Sequence, residues 1–221
     1  MGESATALQR LDEITRRLRT ECPWDREQDE RSSVPHTVEE AYELADAAHS
    51  GDDEKMLDEL GDVLFQVYFL SLLMEERGAG DLAAVAEHCR TKLIRRHPHV
   101  FGDVQAADAS EVRRNWDEIK RTEEGRGGEL FAGVPETLPG LHYARKVLRR
   151  AGLDGPAGRL GAEAGRVAAL RSQEVDRDAS FEAVGDLLLA AVALARELGV
   201  DPELAVRAAA DRLRREVEAG R

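Results

Sequence analysis

The stretch "EEAYELADAAHSGDDEKMLDELGD", residues 39–62, leads directly into the apolar run "VLFQVYFLSLLM", residues 63–74. Ten of its 24 residues are acidic and one, Lys55, is basic. Its apolar residues recur at helical spacing on both sides of Gly51, a residue type that commonly ends helices. The pattern predicts two helices joined by a short turn, with many carboxylates brought against the hydrophobic core.

Four of these carboxylates are spaced so that they can converge. Glu40 and Glu43 lie three positions apart on the first predicted helix, and the side chains of residues i and i+3 share a helix face. Glu59 and Asp62 have the same spacing on the second. If the two helices pack antiparallel, two carboxylates about 4–5 Å apart repel by roughly 3–4 kcal/mol at an effective dielectric near 20. Such a set needs protonation or a cation, and oxygen-only ligands suit Mg²⁺ or Mn²⁺.

A charged, solvated helix face is the competing interpretation of the same spacing. Asp62 favours the metal interpretation, because the apolar run follows it and a carboxylate near the core needs a partner. A di-iron bundle is disfavoured, since the sequence contains no Glu-x-x-His motif. The remaining acids of the stretch are assigned to the solvated face: Asp46, Asp52, Asp53, Glu54 and Asp58.

The bulk composition excludes several classes of protein. Of the 221 residues 42% are hydrophobic and 34% charged, with a net charge of −13, as expected for a folded protein. This acidity argues against nucleic acid or an anionic membrane as partner, although a divalent cation would permit a phosphorylated ligand. The two cysteines, Cys22 and Cys89, are too few for a disulfide framework and do not have the spacing of zinc ligands. No signal-peptide core or 20-residue apolar span occurs, so we expect a cytoplasmic protein.

Helical periodicity dominates the whole chain and predicts an all-α fold of two related helical-bundle modules. The apolar spacing of Leu8 to Leu18 predicts a first helix. A glycine- and proline-rich linker at 125–138 separates modules at 1–124 and 139–221. An offset of 124 residues places Gly61-Asp62 over Gly185-Asp186, which suggests a repeat. Two further helices are predicted: one is capped by Asp81 and closed by Pro98 and Gly102, and a shorter one starts near Ser110. The other predicted helices are 33–49, 55–76, 139–151, 160–172, 180–198 and 202–219.

A basic segment supplies the second candidate feature. Residues 90–99, "RTKLIRRHPH", contain Arg90, Lys92, Arg95 and Arg96 and no acid. Lys92 and Arg96 are four apart and share a helix face, where they would suit a phosphate chain. Cations that favour a helix C-terminus explain the segment equally well. The "HPH" of His97 and His99 is expected to be a turn rather than a pair of ligands. Trp24 either stacks on a base or, more commonly for a tryptophan, caps the core.

Several motifs together resemble one known family. Glu39-Glu40-x-x-Glu43, fifteen residues, and Glu59-x-x-Asp62 are similar to the EExxE–ExxD signature of MazG nucleoside triphosphate pyrophosphohydrolases. The segments "CPWDREQ", "KLIRRHPHVFG", "NWDEIK" and "GVPETLPGLHYARK" also resemble MazG stretches and occur in the same order. The resemblance covers nearly the whole chain.

The resemblance implies an all-α dimer that uses Mg²⁺ to split NTPs or dNTPs, standard or damaged, into the monophosphate and pyrophosphate. It implies that Glu40, Glu43, Glu59 and Asp62 are metal ligands, with Glu39 as an auxiliary acid. The residues that it implies for substrate binding are Lys92, Arg95 and Arg96 at the phosphates, Trp24 and Gln28 near the base, and Asn115 and Lys120. The alternative is a nucleotide-binding regulatory module or a helical interaction module without catalysis.

The second module departs from the family pattern. At the 124-residue offset, Ala164, Val167 and Ala183 replace three of the four carboxylates, and Asp186 alone keeps its acid. We therefore expect a degenerate module that is structural or dimer-forming. Asp186 is expected at a helix N-terminus, the alternative being a residual catalytic role.

Overall fold

The computed structural model describes residues 2–123, 130–131, 133–152, 156–170 and 176–220. All regular elements in these ranges are helices, so the predicted all-α class is confirmed. The chain divides into two compact units, residues 1–124 and 125–221. No described helix is long and apolar enough to cross a membrane.

The first unit contains seven helices within residues 2–123. In chain order they are α1 (Glu3–Glu21), α2 (Pro23–Glu27), α3 (Glu30–Ser50), α4 (Asp53–Glu76), α5 (Leu82–Arg96), α6 (Pro98–Phe101) and α7 (Ala109–Glu123). The most extensive packing in the unit joins α3 to α4, and α1 and α5 also contact α4. Helix α4 is therefore the central element.

The turn between α3 and α4 is only two residues long. Gly51 ends α3 with φ of 71°, a left-handed conformation that costs glycine little because it has no Cβ. Asp52 then caps α4, and its side chain accepts hydrogen bonds from the backbone N–H groups of Glu54 and Lys55. The chain thus reverses direction at once, which lets α3 and α4 pack antiparallel along their length.

The core of the first unit lies on the C-terminal half of α4. Tyr68, Phe69, Leu72 and Leu73 are buried there, and Ala47 of α3 is fully buried. Two buried hydroxyl-bearing residues of the same unit bond to their own helices: the hydroxyl groups of Thr15 and Ser71 donate to carbonyl oxygens four residues earlier. Each residue thereby keeps its polar atom satisfied inside the core.

Two arginines hold α1 against the end of α4. Both nitrogens of the Arg16 fork donate to Glu75, at 2.6 and 3.0 Å. Arg19 donates in the same bidentate manner to Glu76, at 2.8 Å twice. Paired contacts of this geometry fix the direction of approach of α1 as well as its contact with α4.

The observed helix bounds differ from the predicted ones in the first unit at three places. Helix α3 begins at Glu30 rather than 33, because Asp29 and Ser32 form a capping box, and Pro35 consequently lies inside the helix rather than in its first turn. Pro23 opens the short helix α2 after the extended residue Cys22, and the periodicity does not predict this helix. The helix predicted to continue to Gly102 stops at Arg96, since Pro98 starts a separate short helix.

The second unit packs four α-helices and a 3₁₀ turn within its described residues. They are α8 (Gly140–Ala151), the turn Ala157–Arg159, α9 (Leu160–Leu170), α10 (Arg177–Glu197) and α11 (Pro202–Ala219). Its core contains Leu148, Ala157, Val192 and Ala193. The predicted linker at 125–138 lies partly outside the described residues, as do the last two residues of the helix predicted at 160–172.

Candidate functional site

Three carboxylates converge between α3 and α4. One oxygen each of Glu40, Glu43 and Glu59 lies within 4.8 Å of the other two. Glu40 is half-buried and Glu43 exposed, whereas Glu59 is buried with 8% of its surface accessible. The antiparallel pairing through Gly51 brings the i, i+3 pair of α3 opposite Glu59 of α4.

The electrostatics of this acidic cluster favour a bound cation. Burial raises the pKa of Glu40, and the charges of Asp62 and Glu43 raise it further. Burial also raises the pKa of Glu59, with the charge of Glu43 as the next contribution. Within the described part of the chain no ion pair joins these three carboxylates to a basic side chain. All donors are oxygens, the ligand type of Mg²⁺ and Mn²⁺, so the residues present fit a hard divalent metal.

Asp62 lies beside the cluster but is more exposed than its sequence context predicts. It is not one of the three grouped carboxylates, yet its charge contributes to the raised pKa of both Glu40 and Glu59. The expectation that Asp62 sits near the core is wrong: it is exposed, and so is Leu64 that follows it. The densely buried part of α4 begins at Gln66, and among the four acids Glu59 is the buried one.

Glu39, the expected auxiliary acid, stands outside the cluster. Its side chain is 66% exposed, and its carboxylate lies 3.8 Å from His36 Nδ1. The ring of His36 packs edge-on against Trp24 at 5.7 Å between centroids. Trp24 is itself 55% exposed, so the interpretation that it caps the core is wrong. Gln28 joins this group because its side-chain nitrogen donates to the Trp24 carbonyl at 3.0 Å.

The basic segment forms the last two turns of α5, which packs against α4 and α7. Lys92 and Arg96 are half-buried and Arg95 is exposed. Lys92 makes no ion pair or hydrogen bond with the described residues, and its ammonium group is therefore available to a ligand. Arg90 differs, since its guanidinium is bound to Glu87 one turn earlier, at 2.5 and 2.8 Å.

A ring cluster lies where the end of α5 meets α7. His97 Nδ1 donates to the Leu93 carbonyl at 2.6 Å, and its ring lies 6.2 Å from that of Trp116. Lys120 Nζ lies 4.8 Å from the Trp116 ring centroid, and Asn115 is half-buried beside it. Trp116 Nε1 is buried without a hydrogen-bond partner. The resemblance implies Asn115 and Lys120 as substrate contacts but not Trp116, the indole of the same "NWDEIK" motif.

At the positions that match the four carboxylates of the first unit, the second unit keeps one acid, Asp186, and pairs it with an arginine. Asp186 accepts a hydrogen bond from Arg166 of α9 at 2.9 Å, and Glu163 lies 3.6 Å from the same guanidinium. The prediction that Asp186 is at a helix N-terminus is wrong, because α10 begins at Arg177 and Asp176 is its cap. Asp186 lies in the middle of α10, as Asp62 does in α4.

Comparison with known proteins decides the family. A domain model described as the MazG nucleotide pyrophosphohydrolase domain matches residues 28–101. The Escherichia coli (strain K12) protein named nucleoside triphosphate pyrophosphohydrolase is 38% identical over 222 aligned residues, which cover 94% of this chain and 84% of that protein. The chain belongs to the MazG family. A Thermotoga maritima relative, named nucleoside triphosphate pyrophosphohydrolase/pyrophosphatase MazG, is 36% identical over 95% of this chain and 83% of its own length.

The MazG domain match lies entirely within the first unit. Residues 28–101 include the acidic cluster, Asp62 and the basic end of α5. A shorter similarity, 33% identity over 61% of this chain and 42% of the relative, links the chain to a Mycobacterium tuberculosis nucleoside triphosphate pyrophosphohydrolase.

Proposed function

We propose that this MazG protein is a metal-dependent nucleoside triphosphate pyrophosphohydrolase whose chemistry resides in the first unit. It splits NTPs or dNTPs, including non-standard or damaged ones, into the monophosphate and pyrophosphate. The observation that carries the proposal is the convergence of Glu40, Glu43 and Glu59 within 4.8 Å, with no ion pair to a basic side chain among the described residues. The charge of Lys55 only partly offsets the raised pKa of Glu59. The names of relatives that align over most of this chain support the same reaction.

The acidic cluster is proposed to hold Mg²⁺, or Mn²⁺ in its place. Glu40, Glu43 and Glu59 supply the first ligands, and Asp62 completes the set from the exposed rim. A bound divalent cation would offset the charge of a triphosphate and lower the pKa of a water molecule. Glu39 keeps the auxiliary role that the resemblance implies, from a position outside the cluster where its carboxylate lies 3.8 Å from His36 Nδ1.

The basic end of α5 is proposed to bind the phosphate chain. Lys92 lacks a partner in the described structure and would hold a phosphate oxygen, together with Arg96 and the more exposed Arg95. Their positive charge stabilises the pyrophosphate that leaves, because negative charge accumulates on it as the bond breaks.

The base and sugar are proposed to contact the aromatic groups near these elements. Trp24 presents an exposed ring for stacking, and Gln28 lies beside it. Asn115 and Lys120, with Trp116 between them, form a second candidate contact, supported by the unpartnered indole Nε1. An indole N–H that is buried without an acceptor is costly, and a ligand oxygen would satisfy it.

The second unit is proposed to be a degenerate MazG-like module with a structural or dimer-forming role. Its Asp186 is paired with Arg166, so the acid that remains there is already neutralised. We also propose that the protein is a cytoplasmic homodimer. A row of exposed apolar side chains on α4 supports the dimer: Leu57, Leu60, Leu64 and Val67.

The test is pyrophosphate release from a panel of standard and modified NTPs and dNTPs. Activity should require Mg²⁺ or Mn²⁺, disappear with a chelator and return when the metal is restored. The panel also identifies the preferred base. Tight nucleotide binding without any turnover, under all metal conditions, would contradict the proposed enzyme. It would favour the alternative function, a nucleotide-binding regulatory module.

A further inference from the structure

The second unit contains a cavity of about 340 Å³ that the proposed function does not use. Leu138 and four side chains of α8 line it: His142, Arg145, Lys146 and Arg149. These four occupy positions i, i+3, i+4 and i+7, which places all of them on one face of the helix. A volume of this size is within the usual range for small-ligand sites.

The opposite face of α8 is already committed to the core. Leu148 is buried in the core cluster of the second unit, and Leu141 and Ala144 pack against that cluster. The helix is thus apolar on one side and basic on the other, but its apolar side is not free to enter a lipid surface. The basic side faces away from the core and lines the cavity.

The charge on the basic face is only partly compensated. Asp201 pairs with Arg145 and lies 3.8 Å from His142 Nδ1, while its other oxygen caps α11. Lys146 and Arg149 have no ion pair or hydrogen bond with the described residues. Residues 140–151 contain four Arg or Lys and no acid, in a chain whose net charge is −13. A local excess of cations in an acidic protein favours an anionic ligand.

We infer that the α8 cavity binds an oligophosphate, a chain of two or three phosphates that is either free or carried by a nucleotide. The four side chains follow two turns of helix, about 10 Å along its axis, which suits a chain of phosphates better than a single one. Lys146 supplies a point charge and Arg149 a guanidinium fork, the two groups that proteins use for phosphate oxygens. The site is separate from the acidic cluster of the first unit, and its existence does not depend on the proposed reaction.

The experiment is isothermal titration of the full chain with inorganic pyrophosphate, tripolyphosphate, ADP and ATP. A chelator is present throughout, so that the acidic cluster cannot bind phosphate through a metal. Wild-type protein should bind at least one of these ligands, and the double variant Lys146→Gln/Arg149→Gln should bind it about tenfold more weakly or worse. Comparison of inorganic and nucleotide ligands with the same number of phosphates shows whether the base contributes.

Two further variants make the result decisive. Arg212→Gln/Arg215→Gln removes the same charge from exposed positions of α11 in the same unit and should leave the affinity unchanged. Lys146→Arg/Arg149→Lys keeps the charge and should retain binding. Absence of binding by the wild type would overturn the inference. An equal loss of affinity in Lys146→Gln/Arg149→Gln and in Arg212→Gln/Arg215→Gln would also overturn it, because it would indicate a diffuse charge effect instead of a site.

Discussion

Glu59 is both a member of the acidic cluster and a buried residue of the first unit. Its carboxylate is buried, and burial raises its pKa ahead of any neighbouring charge. A buried carboxylate without a counter-charge lowers the stability of a folded protein. We regard this as the cost of a preorganised metal ligand, which the metal itself offsets when it binds.

Replacement of this carboxylate should therefore stabilise the metal-free protein in a pH-dependent way. The pKa of Glu59 is raised from 4.5, so the folded state favours the protonated form. The contribution of protonated Glu59 to the free energy of unfolding is fully present below about pH 4.5. It is lost as the pH rises through the raised pKa of the folded state. In a chelator, Glu59→Gln should raise the melting temperature by a few degrees at about pH 7.5 and have no such effect below pH 4.5.

Differential scanning calorimetry across this pH range provides the measurement, with Asp46→Asn as the control. Asp46 is an exposed acid on α3, one turn beyond Glu43, and its replacement should change little at any pH. Added Mg²⁺ should stabilise wild type more than Glu59→Gln. A stabilisation of Glu59→Gln that does not depend on pH would contradict the assignment of the effect to ionisation.

At the scale of elements, the α3–α4 pair builds the acidic cluster, and the turn at Gly51 sets its register. Two residues separate the helices, so the chain cannot slide without moving Glu40 and Glu43 away from Glu59. The left-handed φ of 71° at Gly51 is the conformation on which this tight reversal depends.

Two glycine substitutions should separate this turn from an ordinary helical position. Gly51→Ala places a Cβ in the left-handed region and should cost about 1–2 kcal/mol of folding free energy. Gly61 lies within α4, where a Cβ would meet no heavy atom within 4 Å. Gly61→Ala should therefore raise the free energy of unfolding by about 0.5–1 kcal/mol. Opposite shifts in melting temperature are expected, and a gain from Gly51→Ala would contradict the account of the turn.

The sequence predicted the helices well because periodicity and capping are local. It located the Gly51 turn and the cap at Asp81, whose side chain accepts from the Ala84 N–H. It did not predict burial, because burial depends on packing between distant segments. Asp62 is exposed although its sequence context predicts a place near the core. Trp24 is exposed although a core-capping position was the favoured interpretation. The unpartnered Trp116 nitrogen likewise depends on packing that the sequence does not specify.

At the scale of the whole molecule, two units share a pattern but not a chemistry. Gly61-Asp62 and Gly185-Asp186 occupy equivalent positions in α4 and α10, the two long helices of their units. Around Asp62 the neighbouring acids repel one another, whereas Asp186 is balanced by Arg166. The Arg166–Asp186 contact agrees with the proposal that the second unit has a packing role and takes no part in the reaction.

The exposed row on α4 is expected to pack against a second copy of the chain. The apolar stretches 63–74 and 187–194 are the segments whose sequence predicts an interface between two chains. Much of the first segment is buried within its own unit, so the exposed Leu60 and Leu64 are the better targets. Light scattering should report a wild-type dimer, and Leu60→Glu/Leu64→Glu should give monomers. Leu213→Glu, at an exposed position of α11, should remain dimeric; a wild type that is monomeric at every concentration would refute the interface.

The central claim is that the reaction depends on the acidic cluster of the first unit. Its most direct test is the rate of Mg²⁺-dependent pyrophosphate release by Glu43→Gln, Asp62→Asn and Asp186→Ala. The first two each remove a carboxylate that we propose as a metal ligand, and they should abolish turnover with the fold intact. Asp186→Ala removes only an exposed ion pair, worth about 0–1 kcal/mol of stability, and should keep the wild-type rate. Full activity in Glu43→Gln, or loss of activity in a folded Asp186→Ala, would contradict the account.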